Sequence, residues 1–351
     1  MLPYYLLLAL PIIPYCVFPH EEQRERRNKA IVTVFFAMLI GMLMCRDITV
    51  GTDNLNYIQY FQKLSMLESQ GAERGFVALN HLLRSFTSEY QVLVIVVALL
   101  SMLPLFYFYR RESEIPYLSI VLFMTVAPFS MYFSGLRQVL AMTLGIPAYY
   151  CVKNRKLLWF LALVGFAFLF HRSALIMVLM YPIYFLKIDA KRALWLTPVF
   201  GFVFLFKGRI FPLLLRFVGD RYGVIDGITD LSGGYTVLLL LVVFAIYSFF
   251  IPGEEELEED VRGLRNILLL CVLIQCFASL HTLVMRMNYY FLQFLPILIP
   301  KIAKRSSENN RQLADLSVWV MCLFFAAWFV YQAKTGEDLM EIFPYATYWS
   351  K

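Results

Sequence analysis

The chain has 351 residues, of which 60% are hydrophobic, 17% aromatic and only 16% charged, with a formal net charge of +6. Soluble domains carry about a quarter charged residues, so this much apolar surface cannot be hidden in one water-soluble core. The composition also excludes a disordered chain, a disulfide scaffold and a protein that binds nucleic acid through bulk charge. A lipid bilayer is the remaining solvent, and we expect a single integral membrane domain over residues 1–351.

Apolar runs separated by charged or turn-rich breaks predict an all-α polytopic membrane protein with about 12 transmembrane helices, because one span takes roughly 20 residues. The runs that we interpret as spans are 2–18, 30–45, 90–109, 117–134, 138–152, 157–170, 173–186, 193–206, 234–251, 266–282, 287–303 and 314–332. The first run lacks a basic start and a small-residue cleavage site, so we expect it to be a retained span.

The distribution of lysine and arginine predicts how these spans are oriented. Alternate connections carry basic clusters and are therefore assigned to the cytoplasm: 24–29, 110–111, 153–156, 187–192 and 301–311. The acidic connection 252–265 is assigned to the same side, since acidic residues count little and Arg262 and Arg265 fit the rule. Both termini, and the long loops 46–89 and 207–233, are then expected outside. Amphipathic spacing predicts outer-face helices at 53–67, 75–86 and 209–219.

The outer ends of the spans carry many arginines and few lysines, which runs against the orientation rule. A guanidinium binds phosphate or carboxylate through two parallel hydrogen bonds, so the set suits a lipid-linked pyrophosphate. The alternative is snorkelling, or ion pairing with Asp220, Asp226 and Asp230. The arginines are Arg46, Arg74, Arg84, Arg137, Arg172, Arg209, Arg216, Arg221 and Arg286.

Arg137 is the strongest single candidate for anion binding. It follows a tight turn, Ser134-Gly135-Leu136, and opens a predicted helix whose N-terminal amides already favour an anion. His171-Arg172 occupies the equivalent place one hairpin later, and a boundary histidine is either a general base or a polar anchor. Arg286, followed by Tyr290, starts a later span from the same side, and His281 precedes it.

A carboxylate and aromatic side chains follow the second predicted span. Asp53 comes after the turn residue Gly51, and Tyr57 and Tyr60 then lie on one helical face. A carboxylate beside aromatic rings can hold a sugar and activate its hydroxyl. The alternative is that Thr52 or Asp53 caps a helix and the rings form an interfacial face. The six cysteines and four histidines show no metal-ligand spacing, so we expect no metal and no cofactor.

These outer motifs together resemble the EpsG family, Wzy-like membrane proteins of exopolysaccharide, capsule and O-antigen synthesis. Arg74 stands where the family often has proline, and Gly135 where it often has asparagine. The matching motifs occur in order along the chain: Val50-Gly51-Thr52-Asp53 with Tyr57 and Phe61; Glu73-x-Gly75-Phe76 with Leu79-Asn80; Leu136-Arg137-Gln138 with Ala141; His171-Arg172-Ser173-Ala174; and Arg286 with Tyr289-Tyr290-Phe291.

The resemblance implies a fold like that of the GT-C membrane glycosyltransferases and a polymerase in the bacterial inner membrane. Such a protein transfers a growing glycan from undecaprenyl pyrophosphate to a lipid-linked repeat unit on the periplasmic face, and a flippase and a chain-length regulator are implied partners. We expect a metal-independent, inverting reaction. Arg137, with Arg286 and either Arg46 or Arg172, would hold the pyrophosphate, and Asp53 or His171 would be the base.

The further residues expected to bind substrate are Tyr57, Tyr60, Arg74, His281 and Tyr290. The alternatives are a lipid-linked oligosaccharide flippase, a sugar O-acyltransferase and a non-catalytic scaffold of a glycan assembly complex. The predicted spans are almost free of charge at mid-depth, which argues against a transporter. We find no polar cluster on the cytoplasmic side that would suit an acyl donor.

Overall fold

The structure is a computed structural model that describes residues 1–69, 71–218, 233–252, 257–336, 338 and 340–349, and the side chains of these residues except at 214–218 and 233. In this part of the chain the fold is all-helical, with two isolated β-bridges, Arg46 with Thr347 and Pro252 with Ser306. The chain divides into two compact units. The first is Met1–Leu175 with Ser317–Lys351, and the second is Ile176–Leu316.

The first unit is built around two long apolar helices, α3 and α7, which pack on each other. Phe36 on α3 packs edge-on against Tyr109 on α7, with ring centroids 5.3 Å apart. Its helices are α1 Leu2–Ala9, α2 Ile13–Val17, α3 Arg24–Cys45, α4 Asn54–Gln62, α5 Leu64–Ser69, α6 Arg74–Arg84, α7 Tyr90–Glu112, α8 Pro116–Thr125, α9 Met131–Ser134, α10 Leu136–Thr143, α11 Gly145–Lys153 and α12 Leu157–Phe168. A 3-10 helix, Arg172–Leu179, crosses the division between the units.

The second unit is organised by one buried helix, Glu259–Gln275. Its Asn266 side chain donates to the carbonyls of Ile183 (3.1 Å) and Leu186 (2.7 Å), which closes the end of a neighbouring short helix. Asp260 binds Lys301 at 2.8 Å, so the buried charge is paired. The helices are α13 Met180–Tyr184, α14 Ala190–Val218, α15 Gly233–Phe250, α16 Glu259–Gln275, α17 Thr282–Leu292, α18 Leu295–Lys304 and α19 Arg311–Thr335, whose residues from Ser317 onward belong to the first unit.

The helices are those of a membrane protein. Among the described residues, four helices are long and apolar enough to cross a bilayer: Glu21–Cys45, Tyr90–Glu112, Ala190–Leu213 and Glu308–Thr335. Shorter apolar helices cover Leu2–Val17, Pro116–Thr125, Leu157–Phe168, Arg172–Tyr184 and Gly234–Phe250. The total of 12 spans and the GT-C-like arrangement stay predictions.

Several predicted apolar runs are divided into shorter helices. The run 2–18 contains α1, a 3-10 turn at Leu10–Ile12 and α2, because Pro11 and Pro14 remove backbone donors. The run 138–152 is divided between α10 and α11 at Leu144. The separate helix expected at 209–219 is wrong: residues 209–218 continue α14 without a break, and Pro198 and Pro212 lie inside that helix. Residues 219–232 of the predicted outer loop lie outside the described part.

Two of the predicted outer-face helices are present. The interval 53–67 holds α4 and most of α5, and 75–86 matches α6 closely. Helix α6 is amphipathic: Phe76 and Asn80 are buried, whereas Arg74 and His81 are exposed. Helix α4 carries the candidate residues Tyr57 and Tyr60, and α6 begins with Arg74.

Candidate functional site

The loop that carries Asp53 is docked against the turn before Arg137. Gly51 has a φ of +112°, and a Cβ there would lie 2.3 Å from the Phe133 carbonyl oxygen, so only glycine fits. The Thr52 and Ser134 hydroxyls are hydrogen-bonded at 2.9 Å, and the Asp53 amide donates to Ser134 Oγ at 3.1 Å. These contacts hold the two segments side by side.

The same contacts correct the expected helix cap. Asp53 occupies the N-cap position of α4, but its side chain accepts no capping hydrogen bond. The Thr52 hydroxyl binds Ser134 instead. Asn54 stabilises the loop instead. Its side-chain amide donates to the Val50 carbonyl and, at 3.1 Å, to the Phe133 carbonyl.

The C-terminal segment fastens the Asp53 loop from its other side. The Gly51 and Thr52 amides donate to the carbonyls of Glu341 and Met340, both at 3.1 Å. The Asp47 amide donates to Ala346 at 2.9 Å. Hydrogen bonds on both sides therefore hold the loop that carries Asp53.

Glu73 joins the other candidate residues of the first unit. Its Oε2 accepts a hydrogen bond from Arg137 Nη1 at 2.9 Å. Its Oε1 lies 3.2 Å from His171 Nδ1 and accepts from the Arg172 amide, also at 3.2 Å. The Glu73 side chain is 7% exposed, against 31% for Arg137 and 20% for His171. One buried carboxylate thus binds two partly exposed groups, and we call Glu73, Arg137 and His171 the carboxylate triad.

A second glycine allows this approach. The Gly75 amide donates to the Leu169 carbonyl at 2.8 Å, and a Cβ on Gly75 would lie 2.8 Å from the same oxygen. Arg172 Nη2 donates to the Gly71 carbonyl at 3.1 Å. The start of α6 is therefore held directly against the turn that carries His171 and Arg172.

Glu73 is ionised throughout the ordinary pH range. Burial raises the pKa of its carboxyl, but the hydrogen bond from His171 and the charge of Arg137 outweigh burial and lower the pKa from 4.5 to about 2. An ionised carboxylate only accepts hydrogen bonds, so His171 Nδ1 must carry the proton. When His171 is neutral, its Nε2 is then the atom with the free lone pair.

Tyr57 completes the surroundings of Arg137. The Tyr57 side chain is buried, and its hydroxyl lies close to the positively charged Arg137 guanidinium. Burial raises the pKa of Tyr57 despite the nearby positive charge. Tyr60, half-buried, lies beside it with ring centroids 6.4 Å apart. Aromatic surface therefore borders the triad.

Two other predicted arginines of the first unit have different surroundings. Arg46 is 2% exposed, and its Nη1 donates to the Leu43 carbonyl at 2.7 Å. Arg74 is the first residue of α6 and is exposed, although its neighbour Glu73 is buried. Their roles in substrate binding stay predictions.

The remaining predicted residues belong to the second unit. His281 is the N-cap of α17, where its Nδ1 accepts from the Leu283 amide at 3.0 Å. Arg286 is half-buried on the same helix, and Tyr290 is fully buried. Among the other outer arginines, Arg209 lies in α14, the Arg216 side chain is not described, and Arg221 lies outside the described residues.

Among the described residues, no group of three or more His, Cys, Asp or Glu side chains could hold a metal ion. Comparison with known families gives one match, which covers residues 29–347. The chain belongs to the EpsG family. This family is associated with polysaccharide polymerisation. Searches of the curated proteins and of the solved structures return no match.

The EpsG match includes every segment of the carboxylate triad. It also includes Gly51 and Gly75, which we call the docking glycines. Sequence reasoning singled out Arg137 and His171 in this family member, but it did not count Glu73 as a site residue. The sequence did contain a signal for Glu73. It is a carboxylate within an outer motif, on the side where several arginines are predicted, and arginines that become buried need a counter-charge.

Proposed function

We propose that this EpsG-family protein is a polysaccharide polymerase that transfers a growing glycan from undecaprenyl pyrophosphate to a lipid-linked repeat unit on the outer face of the bacterial inner membrane. The observation that carries the proposal is the carboxylate triad. A single buried, ionised Glu73 holds a cation for the leaving group and a histidine for the attacking group on one side chain.

His171 serves as the base in this proposal. Glu73 fixes the Nδ1-protonated form of the ring, which leaves Nε2 to take the proton of the acceptor hydroxyl. A carboxylate that orients a histidine in this way is a common arrangement in hydrolases and transferases. Asp53 is the alternative base, and in this scheme it binds the acceptor sugar through its carboxylate.

Arg137 binds the pyrophosphate of the donor. Its Nη1 is used by Glu73, and the side chain is still 31% exposed. The acceptor oxygen attacks the anomeric carbon, and the bond from that carbon to the pyrophosphate oxygen breaks. The electron pair leaves with the pyrophosphate, where Arg137 and Arg172 stabilise the added negative charge. Attack opposite the leaving group inverts the anomeric centre.

The test uses the full-length protein in nanodiscs with lipid-linked repeat units and no nucleotide sugar. Long glycan on a gel supports a polymerase, whereas no elongation from folded protein would favour a flippase or a scaffold. His171→Gln should reduce elongation by about 10²-fold or more, the ordinary contribution of a positioned base.

His81→Gln is the matched control for that variant. His81 is another outer-loop histidine that pairs with a glutamate, but it is exposed and lies 2.8 Å from Glu68 on the surface. It should elongate normally. If Asp53→Asn abolishes elongation and His171→Gln does not, the base is Asp53 and the role given to His171 is wrong.

A further inference from the structure

A second charged site lies in the second unit, in the connections that the lysine and arginine distribution assigns to the cytoplasm. A cavity of about 330 Å³ is formed between the connection 187–192 and the first turns of α16. Four cations line it against one carboxylate, Asp189, which gives a net charge of +3. The cations are Lys187, Arg192, Arg262 and Arg265, and we call this cavity the basic cleft.

Two of the four cations have partners within the fold. Arg265 is 1% exposed, its Nη2 donates to the Ile188 carbonyl at 2.7 Å, and its guanidinium stacks on Phe249 at 3.9 Å from the ring centroid. Arg192 donates to the Lys187 carbonyl and lies 3.8 Å from Asp189. The buried Arg265 side chain is already ordered, so binding an anion there costs less conformational entropy.

The side chains of the other two cations have no ion-pair partner among the described residues. Lys187 and Arg262 make no side-chain hydrogen bond or ion pair in that part of the chain. Like charges gathered in one cavity repel one another, and an anion bound between them would offset this repulsion. Asp260, which lies on α16 with Arg262, shows the opposite arrangement, because this buried charge is matched within the fold by Lys301 of α18.

We propose that the basic cleft binds a phosphate-bearing anion on the cytoplasmic face. A volume of about 330 Å³ is near the lower end for small-ligand sites and suits a phosphate or diphosphate group. Basic pockets between membrane helices on the cytoplasmic side are a recognised setting for anionic lipid headgroups. Both a headgroup and a soluble phosphate offer this chemistry, and the inference does not depend on the proposed polymerase activity.

The experiment measures anion binding by the full chain with two probes. One is inorganic pyrophosphate added to detergent-solubilised protein, and the other is phosphatidylglycerol retained in native mass spectra from mixed phosphatidylcholine nanodiscs. The double variant Lys187→Gln, Arg262→Gln should weaken binding about tenfold or more, since two charged contacts to the anion are lost. Binding of pyrophosphate supports a soluble ligand, and binding of the lipid alone supports a headgroup.

The matched control is the double variant Lys191→Gln, Lys304→Gln. It removes the same two charges from the same unit at exposed positions outside the cleft, and it should bind as the original protein does. An equal loss in both double variants would reduce the effect to overall charge and overturn the proposal. So would the failure of folded protein to bind either probe.

The acidic run Glu254-Glu255-Glu256 precedes Leu257, which lines the cleft. It lies outside the described residues, and it supplies the last arm of the test. If anion binding appears only after all three residues are changed to glutamine, the chain itself neutralises the cleft and the proposal of an external ligand is overturned. Unchanged or slightly stronger binding in this variant supports it.

Discussion

Replacing Glu73 with glutamine should destabilise the first unit and remove its activity together. The pKa of Glu73 falls from 4.5 to about 2 on folding. Each unit of pKa difference is worth about 1.4 kcal/mol, so the ionised carboxylate stabilises the fold by about 3 kcal/mol at neutral pH. Glu73→Gln keeps the size of the side chain and loses this contribution. It also presents an amide to Arg137, whose guanidinium then lacks its counter-charge.

The pH dependence identifies the cause of that loss. Because the folded pKa is depressed, the stabilisation is complete above pH 4.5 and is lost as the pH falls through about 2. The difference between the original protein and Glu73→Gln should shrink by about 2 kcal/mol between pH 7 and pH 3. Reversible guanidinium unfolding in mild detergent, followed by tryptophan fluorescence, measures it.

Glu68→Gln is the control for this prediction. Glu68 also pairs with a histidine, His81, but the two side chains are 55% and 51% exposed, so the pair is worth at most about 1 kcal/mol. A Glu73→Gln variant that resembles Glu68→Gln, or a difference that stays constant from pH 7 to pH 3, would refute the reasoning. Elongation assays on the same samples should show that only Glu73→Gln loses long glycan.

Three smaller changes test the surrounding contacts. Gly75→Ala places a Cβ 2.8 Å from the Leu169 carbonyl and should cost about 1–3 kcal/mol of unfolding free energy and most of the elongation activity, whereas Gly165→Ala, with no atom within 4 Å, should be neutral or slightly stabilising. Ser134→Ala removes the partner of the Thr52 hydroxyl and the Asp53 amide and should cost about 1–3 kcal/mol in the same measurement. Tyr57→Phe removes the hydroxyl that Arg137 contacts and should reduce elongation about tenfold, scored on glycan gels, with little change in stability.

Composition and periodicity predict the helical membrane fold because they report burial in lipid, which depends on local sequence. They place α6 and α7 within about three residues of their observed bounds, and they place the end of α3, which begins six residues before the predicted run. They fail where backbone geometry decides the boundaries. Pro11 and Pro14 divide the first run, yet Pro198 and Pro212 lie within the continuous α14. A proline alone therefore does not show whether an apolar helix breaks.

The candidate site could be predicted in part. Arg137 and His171 stand out because basic residues at the outer ends of predicted spans run against the orientation rule. Glu73 does not stand out, because its role depends on contacts with residues 64 and 98 positions away along the chain. Its short helix is amphipathic, and a carboxylate before such a helix is equally typical of a solvated cap.

The two docking glycines give a physical reason for the order of the outer motifs. Gly51 approaches the carbonyl of Phe133, just before the turn that carries Arg137, and Gly75 approaches that of Leu169, just before His171. Each glycine stands two residues from a carboxylate, Asp53 in one case and Glu73 in the other. A motif with a glycine and a carboxylate is thus half of a contact, and the other half is a turn followed by a cation. Glycine is needed in each motif because a side chain there would push the carboxylate away from the opposite turn. The two motifs are therefore informative only together.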